Sequence, residues 1–359
     1  MAEEAQSGFP TVAEAFANQV DYCTANGAPI TARVCEALSA LLHQDKQAAD
    51  TAFGRRVLGW EGHPLGDALP LRCAGGFHAL HLADMEPDLM PLYAGEATAL
   101  ANAEKLIGNA LERHEVFLLP WLDTPPQTNE AGRSSNFAAA LLWLADQGLP
   151  PRFALNELGS SAGINLMMDR FDYDLAGVSV GPGNAAIQLK PEWRGSPPPK
   201  ADIEIVSIQG ADINPIDLTD DVAAARLKAY IWPENLDRFH RMEAAIAEAH
   251  KQPPKLIHAD AADFVDTMLA EPQQPGTTRV LMHSIVWQYL PNETQQRITE
   301  AMEAASAQAT PDTPLAWVML EANRTMLRHE LKLRYWPGSA DWTTLGTAHA
   351  HGKWVQWLD

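Results

Sequence analysis

The sequence predicts an α/β protein in which a mostly parallel, Rossmann-like sheet carries helices on both faces and follows a helical N-terminal cap domain. Two observations lead there. Before residue 150, Ala, Leu and Glu recur at helical spacing and no convincing strand is found. After Gly148-Leu149-Pro150-Pro151, short apolar runs alternate with helical segments. Such alternation builds parallel sheets, because each crossover returns the chain to the same end of the sheet. The boundary is expected at 149/150, giving a mainly helical domain over 1–149 and a ligand-binding domain over 150–359.

In the first part, helices are expected near 11–26, 31–43, 97–114 and 132–147. Between them, 54–95 is punctuated by Gly and Pro, as in Gly59-Trp60-Glu61-Gly62-His63-Pro64 and Cys73-Ala74-Gly75-Gly76, and reads as irregular. In the second part, Phe153–Glu157 reads as a strand followed by a helix from about 162 to 170. Roughly 30 residues, 171–200, then interrupt as a loop or hairpin insertion. Further strands are expected at Ile203–Ile208, Lys255–His258, Arg279–His283 and Leu315–Leu320, with helices near 220–230, 234–250, 261–270 and 292–307. Trp232-Pro233 is the break between the helices near 220–230 and 234–250. The tail from Leu331 supplies material for a closing antiparallel pair.

Composition narrows the function. The 359 residues are 46 % apolar and 20 % charged, enough for a large core. Twenty-six Lys and Arg against 46 Asp and Glu give a net charge of -20, which repels nucleic-acid backbones and anionic membranes. The longest apolar run, Phe137–Ala145, has nine residues, well short of the roughly 20 that span a bilayer. Cys23, Cys35 and Cys73 form neither a disulfide framework nor a zinc ribbon. The N-terminus has no basic start followed by an apolar stretch, so no signal peptide is expected. A cytoplasmic protein is the expectation, with neither nucleic acid nor membrane as partner.

In a doubly wound sheet, ligands bind beyond the carboxyl ends of the strands. The first strand ends in Glu157-Leu158-Gly159-Ser160-Ser161-Ala162-Gly163-Ile164-Asn165. Against the dinucleotide pattern G-x-G-x-x-G, Ser161 and Ile164 stand where glycines belong, and no Gly-Lys-Ser/Thr follows for a phosphate loop. The acidic residue two places before Gly159, with Gly163 four places after it, matches an S-adenosylmethionine (SAM) turn with Ser161 at its usual middle glycine. Glu157 could meet the cofactor's ammonium directly or through water. Ser160 and Asn165 belong to the same turn. Asp212, with Ile213 after it, could take the ribose hydroxyls, and Asp260, with Ala261, the adenine amine. Three carboxylates ending three successive strands suit a cation and repel a pyrophosphate. The competing explanations are a tight turn for the glycines, an Asx turn for Asp212 and a helix N-cap for Asp260.

Glu-Leu-Gly-Ser-Ser-Ala-Gly-Ile-Asn-Leu at 157–166, Gly-Ala-Asp-Ile-Asn-Pro-Ile-Asp at 210–217 and His-Ser-Ile-Val-Trp-Gln-Tyr-Leu-Pro at 283–291 are distinctive as a set. So are Gln127–Arg133 and Ala-His-Gly-Lys-Trp-Val-Gln-Trp-Leu at 350–358. Together, from about residue 55 onward, they resemble an uncharacterised bacterial family catalogued as a domain of unknown function. Its core looks like a class I SAM-dependent methyltransferase. The resemblance implies that fold and SAM as cofactor, and brings no substrate.

The remaining candidates surround the methyl position. His283 and Ser284 end the fourth strand, where His283 would be the base, Tyr289 a second catalytic candidate and Trp287 a wall of the substrate slot. Gln127, Asn129, Glu130 and Arg133 crowd one short segment, where Arg133 could hold a carboxylate bidentately. His78 would face the substrate from the cap. His78 and His81 share a helical face, and His349 and His351 a strand face, but neither pair has the partners of a metal site and no metal is expected. The functional expectation is a SAM-dependent transferase acting on a small-molecule or peptide acceptor. The alternatives are a non-catalytic SAM-binding or sensing protein and a nicotinamide-dependent oxidoreductase.

Overall fold

A computed structural model describes residues 9–358. The expectation about a signal peptide rests on residues outside that range. The chain divides into two compact units. The first comprises 1–128 and 221–240, the second 129–220 and 241–359. This differs from a single cut at 149/150.

The first unit is helical. It contains α1 (Val12–Ala25), α2 (Pro29–Gln44), α3 (Lys46–Ala49), α4 (Ala52–Leu58), α5 (Leu69–Leu82), α6 (Met90–Tyr93) and α7 (Leu100–Leu118). Thr11 and Glu14 form a reciprocal capping box at the start of α1. Phe16, Leu38, Phe53, Leu69, Phe77, Leu80 and Ile107 bury a common core. The stretch that reads as irregular contains α5, which runs straight through Gly75-Gly76. Glycine costs helix stability, yet here a Cβ on Gly75 would fall 2.6 Å from the Tyr230 ring and one on Gly76 3.0 Å from Leu118. Close packing by residues distant in sequence therefore demands the glycines.

The second unit opens with α8 (Ser134–Asp146) and the strand β1 (Arg152–Leu158). Where an α-helix is expected over 162–170, there is only a 3-10 run, Asn165–Arg170. Ser161 at φ 54° and Gly163 at φ 71° interrupt right-handed helical geometry, and the Ile164 N–H is taken by Asn129 Oδ1 at 2.8 Å. The 171–200 insertion forms a small sheet from β2 (Asp172–Leu175), β3 (Val178–Val180) and β4 (Gln188–Leu189), then β5 (Glu192–Arg194). Ala176 and Gly177, at φ 55° and 88°, make the two-residue hairpin between β2 and β3. After β6 (Glu204–Asp212) the chain supplies the first unit with α9 (Asp221–Ala229) and the start of α10 (Leu236–Lys251), whose remainder belongs to the second unit. Then follow β7 (Leu256–His258), α11 (Ala261–Ala270), β8 (Thr278–Ser284), α12 (Asn292–Ser306), β9 (Leu315–Asn323), β10 (Arg328–Trp336), β11 (Thr343–Ala348) and β12 (Trp354–Trp357).

The main sheet has nine strands in the order β5-β12-β11-β10-β9-β8-β1-β6-β7. Its five strands β7, β6, β1, β8 and β9 are all parallel. The chain winds outward from β1 in both directions, so the switch point lies between β1 and β8. The tail contributes the antiparallel β10, β11 and β12, one strand more than a closing pair, and β5 adds to β12 in parallel. Leu158, Leu281, Trp317, Val265 and Met302 anchor the core between the sheet and α11 and α12. No helix among the described residues is long and apolar enough to cross a membrane.

Candidate functional site

The carboxyl ends of β1, β6, β7, β8 and β9 bring together most of the residues singled out in sequence. Gly159 and Gly163 adopt φ 65° and 71°, which favours glycine at each. Their missing Cβ positions are occupied by protein: Val286 Cγ2 lies 2.3 Å from the one and Pro254 Cγ 2.9 Å from the other. Ser160 tucks its Oγ against Gly210 of the neighbouring strand, where a Cβ would come within 2.1 Å. The turn is thus shaped by packing from three directions, and Gly159 and Ser161 remain half-buried at its outer edge.

Glu157 lies beneath this turn and is 1 % exposed. Its Oε1 accepts from Asn165 Nδ2 at 2.7 Å, while Glu157 Oε2 and Asn165 Oδ1 are buried acceptors without a partner. Burial raises its carboxyl to about 7; Asn165, Ser160 and the charge of Arg133 work against that rise, and Asp212 adds to it. Asp212 stands at the end of β6, accepting the Ser161 N–H on Oδ2 and the Asn214 N–H on Oδ1, both at 2.8 Å. Each oxygen retains a lone pair for a further donor. Ile213 beside it is 63 % exposed. Asp260 is exposed and caps α11, taking the Ala262 N–H at 2.8 Å, with Ala261 half-buried behind it.

His283 is placed differently from the sequence expectation. It is fully buried, with Nδ1 2.7 Å from Glu321 Oε1 and Nε2 accepting the Trp317 indole N–H at 3.0 Å. Since indole only donates, Nε2 is unprotonated and Nδ1–H donates to Glu321. With both nitrogens engaged and no exposed surface, His283 is no base for a bound substrate. Trp287 stacks on it at 5.1 Å, Ser284 is buried, and Tyr289 is 72 % exposed.

Glu321, at the end of β9, also takes the Val286 and Trp287 N–H groups at 3.1 and 3.2 Å. It is the organiser of this corner, and the sequence signal for it was its position after the fifth strand. His329 on β10 is a second residue the motifs missed. Burial lowers its pKa, the Arg133 charge lowers it further, and Glu321 opposes both.

The segment preceding α8 is built into the second unit from Asn129 onward. Asn129 holds the Ile164 N–H, and Glu130 accepts the Gly132 N–H at 3.0 Å and pairs with Arg241 at 3.1 Å. Arg133 donates through Nε to the Ala350 carbonyl at 2.9 Å. Gln127 falls in the first unit, as does His78. His78 is buried, its Nδ1 is 2.9 Å from the Ala229 carbonyl, and burial lowers its pKa to about 4. It is a packed residue of the helical core and does not face a substrate. His81 stacks beside it. His349 and His351 sit in a turn after β11, not on a strand, with the His351 N–H given to His349 Nδ1 at 3.0 Å. No group of three or more His, Cys, Asp or Glu among the described residues is arranged to hold a metal.

A family profile described as "Uncharacterized protein conserved in bacteria (DUF2332)" matches residues 13–357. No curated protein and no solved structure matches the chain. With nearly its whole length matched, the chain belongs to this uncharacterised bacterial family.

Proposed function

We propose that this member of an uncharacterised bacterial family binds SAM at the carboxyl ends of β1, β6 and β7 and transfers its methyl group to a small-molecule or peptide acceptor. The observation that carries the reading is Asp212, held by the Ser161 N–H beside the Gly159 turn next to the switch point of a parallel sheet. In a class I methyltransferase-like arrangement, Asp212 would take the ribose hydroxyls, exposed Ile213 would flank the adenine, and Asp260 would accept its amine. Asp212 and exposed Asp260 give this rim a negative field that favours a sulfonium and ammonium ligand over the pyrophosphate of a nicotinamide cofactor. The orphaned oxygens of Glu157 and Asn165 fit an ammonium in donor chemistry, though both lie under the turn. Bound SAM supplies an electrophilic methyl carbon; the protein's part is to orient the acceptor and exclude water. A net charge of -20 argues for acceptors other than nucleic acid. Three free, buried cysteines accord with a cytoplasmic setting.

The sealed His283 favours a second reading, a SAM-binding sensor without turnover. Calorimetric titration with SAM, its demethylated product and NADH tests the cofactor. SAM or product binding at micromolar affinity, weakened at least tenfold in Asp212→Ala, supports the site. NADH binding alone, or SAM affinity unchanged in that variant, overturns it. Methyl release from bound SAM into an acceptor then separates enzyme from sensor.

A further inference from the structure

A cleft of about 700 Å³ opens in the second unit between α12 and one face of β9 and β10. Its floor is unusual for a sheet under a helix. Trp317 pairs across the strands with Arg334, Met319 with Lys332 and Glu321 with Glu330, so the face alternates aromatic, apolar and charged groups. Trp287 and Trp342 stand edge-on to Trp317, with ring centres 5.5 and 5.3 Å away and planes near 65°. Trp342, which is 37 % exposed, and half-buried Trp287 present indole surface to the opening. Trp287 and Trp342, backed by the buried Trp317, form walls suited to a flat ring.

The charges decide which ring. Each carboxylate in the cleft already has a cation or donor set. Glu303 holds Arg334 at 3.1 Å, Glu330 holds Arg328 and Lys332, and Glu321 holds His283 and two backbone N–H groups. Arg334 is further clamped over Trp317, Trp336 and Trp342 at 4.8 to 4.9 Å, so the tryptophan cage is already filled by a cation. That disfavours an ammonium ligand. Exposed Arg324 at the mouth has no ion-pair partner among the described residues and meets only the Gln288 amide oxygen at 3.2 Å. One guanidinium without a counter-charge beside aromatic walls is matched by a single negative charge on a planar ring.

We propose that this cleft binds an aromatic monocarboxylate, with its ring against the open surfaces of Trp287 and Trp342 and its carboxylate on Arg324. The site goes beyond the cofactor reading and does not depend on it, since binding is read without SAM present.

The test is titration of the full chain with 2-naphthoate, followed by calorimetry and tryptophan fluorescence, with 2-naphthylmethylammonium and cyclohexanecarboxylate in parallel. The acid should bind and quench fluorescence, and the ammonium isostere and the aliphatic acid should each bind at least tenfold more weakly. Arg324→Gln, on an exposed side chain, should weaken naphthoate roughly tenfold through loss of a charge-assisted contact. Trp342→Ala should weaken it roughly three- to tenfold. Far-UV circular dichroism checks that both variants are folded. Glu303→Gln, which releases Arg334, should tighten the acid. The proposal is overturned if naphthoate does not bind, if the ammonium binds as well as the acid, or if folded Arg324→Gln binds the acid unchanged.

Discussion

Gly132 and Gly352 meet back to back: a Cβ on Gly352, at φ 68°, would lie 2.3 Å from the Gly132 carbonyl carbon. The contact joins the segment before α8 to the turn before β12. It brings together two of the distinctive sequence stretches although more than two hundred residues separate them. Between them, Arg133 reaches the Ala350 carbonyl.

Gly352→Ala combines a left-handed backbone with a backbone collision and should cost on the order of 2–3 kcal/mol or more. Urea unfolding reads this as a lower midpoint. A midpoint equal to that of the parent would show that the two turns part without consequence.

Glu157 should make stability fall as pH rises. Its folded value of about 7 exceeds the ordinary 4.5. Between those values the folded chain keeps a proton that the unfolded chain has released, so the loss grows through the window and is complete above it. The 2.5-unit difference corresponds to about 3 kcal/mol. Glu157→Gln should therefore gain stability relative to the parent at pH 8 but not at pH 4. Parallel stability profiles for parent and variant between those limits would contradict this.

His78 works at the acid end. Its folded value of about 4 lies below the ordinary 6.5, so the unfolded chain takes up a proton first as pH falls. Stability is lost progressively from pH 6.5 down to 4, by about 3 kcal/mol for this one group. His78→Gln, which keeps a polar side chain toward Ala229, should flatten that acid limb. Chemical denaturation at pH 7 and pH 4.5 measures it, and an equally steep limb in the variant would assign the acid sensitivity elsewhere.

Asp260 separates a capping role from a binding role. Asp260→Ala should cost about 1 kcal/mol as an N-cap, whatever else the residue does. In the proposed SAM site it should also weaken SAM binding several-fold. Loss of stability with SAM affinity intact would leave Asp260 as a cap alone.

Much of this was legible because strand ends and caps are written locally. Asp260 and Pro272 bracket α11, and its limits of 261 and 270 agree with those read from sequence. The parallel strands β1, β6, β7, β8 and β9 are visible as apolar runs, though their order is set by pairing between residues distant in sequence. The failures share one cause, which is contact with distant residues. Gly75-Gly76 reads as a break until Tyr230 fills the space beside it. The turn after β1 reads as a helix start until Asn129 takes the Ile164 N–H. His283 reads as a base until Trp317 and Glu321 occupy both its nitrogens. No motif marked Arg324 or Trp342, because a cleft on a sheet face is made by spacing between layers, not by a run of letters.

The discontinuity of the helical unit bears on how the chain is made. Its core receives Ala229 and Tyr230, which pack with Ala79 and Trp121, only after residues 129–220 have been synthesised. A nascent chain released at residue 128 would hold an incomplete unit, with the aromatic surface of Trp121 bare. The usual order, in which an N-terminal domain closes before its successor emerges, is therefore unavailable here. Splitting the gene at residue 128 should yield a sticky fragment, whereas joining 1–128 directly to 221–240 should restore a tractable one.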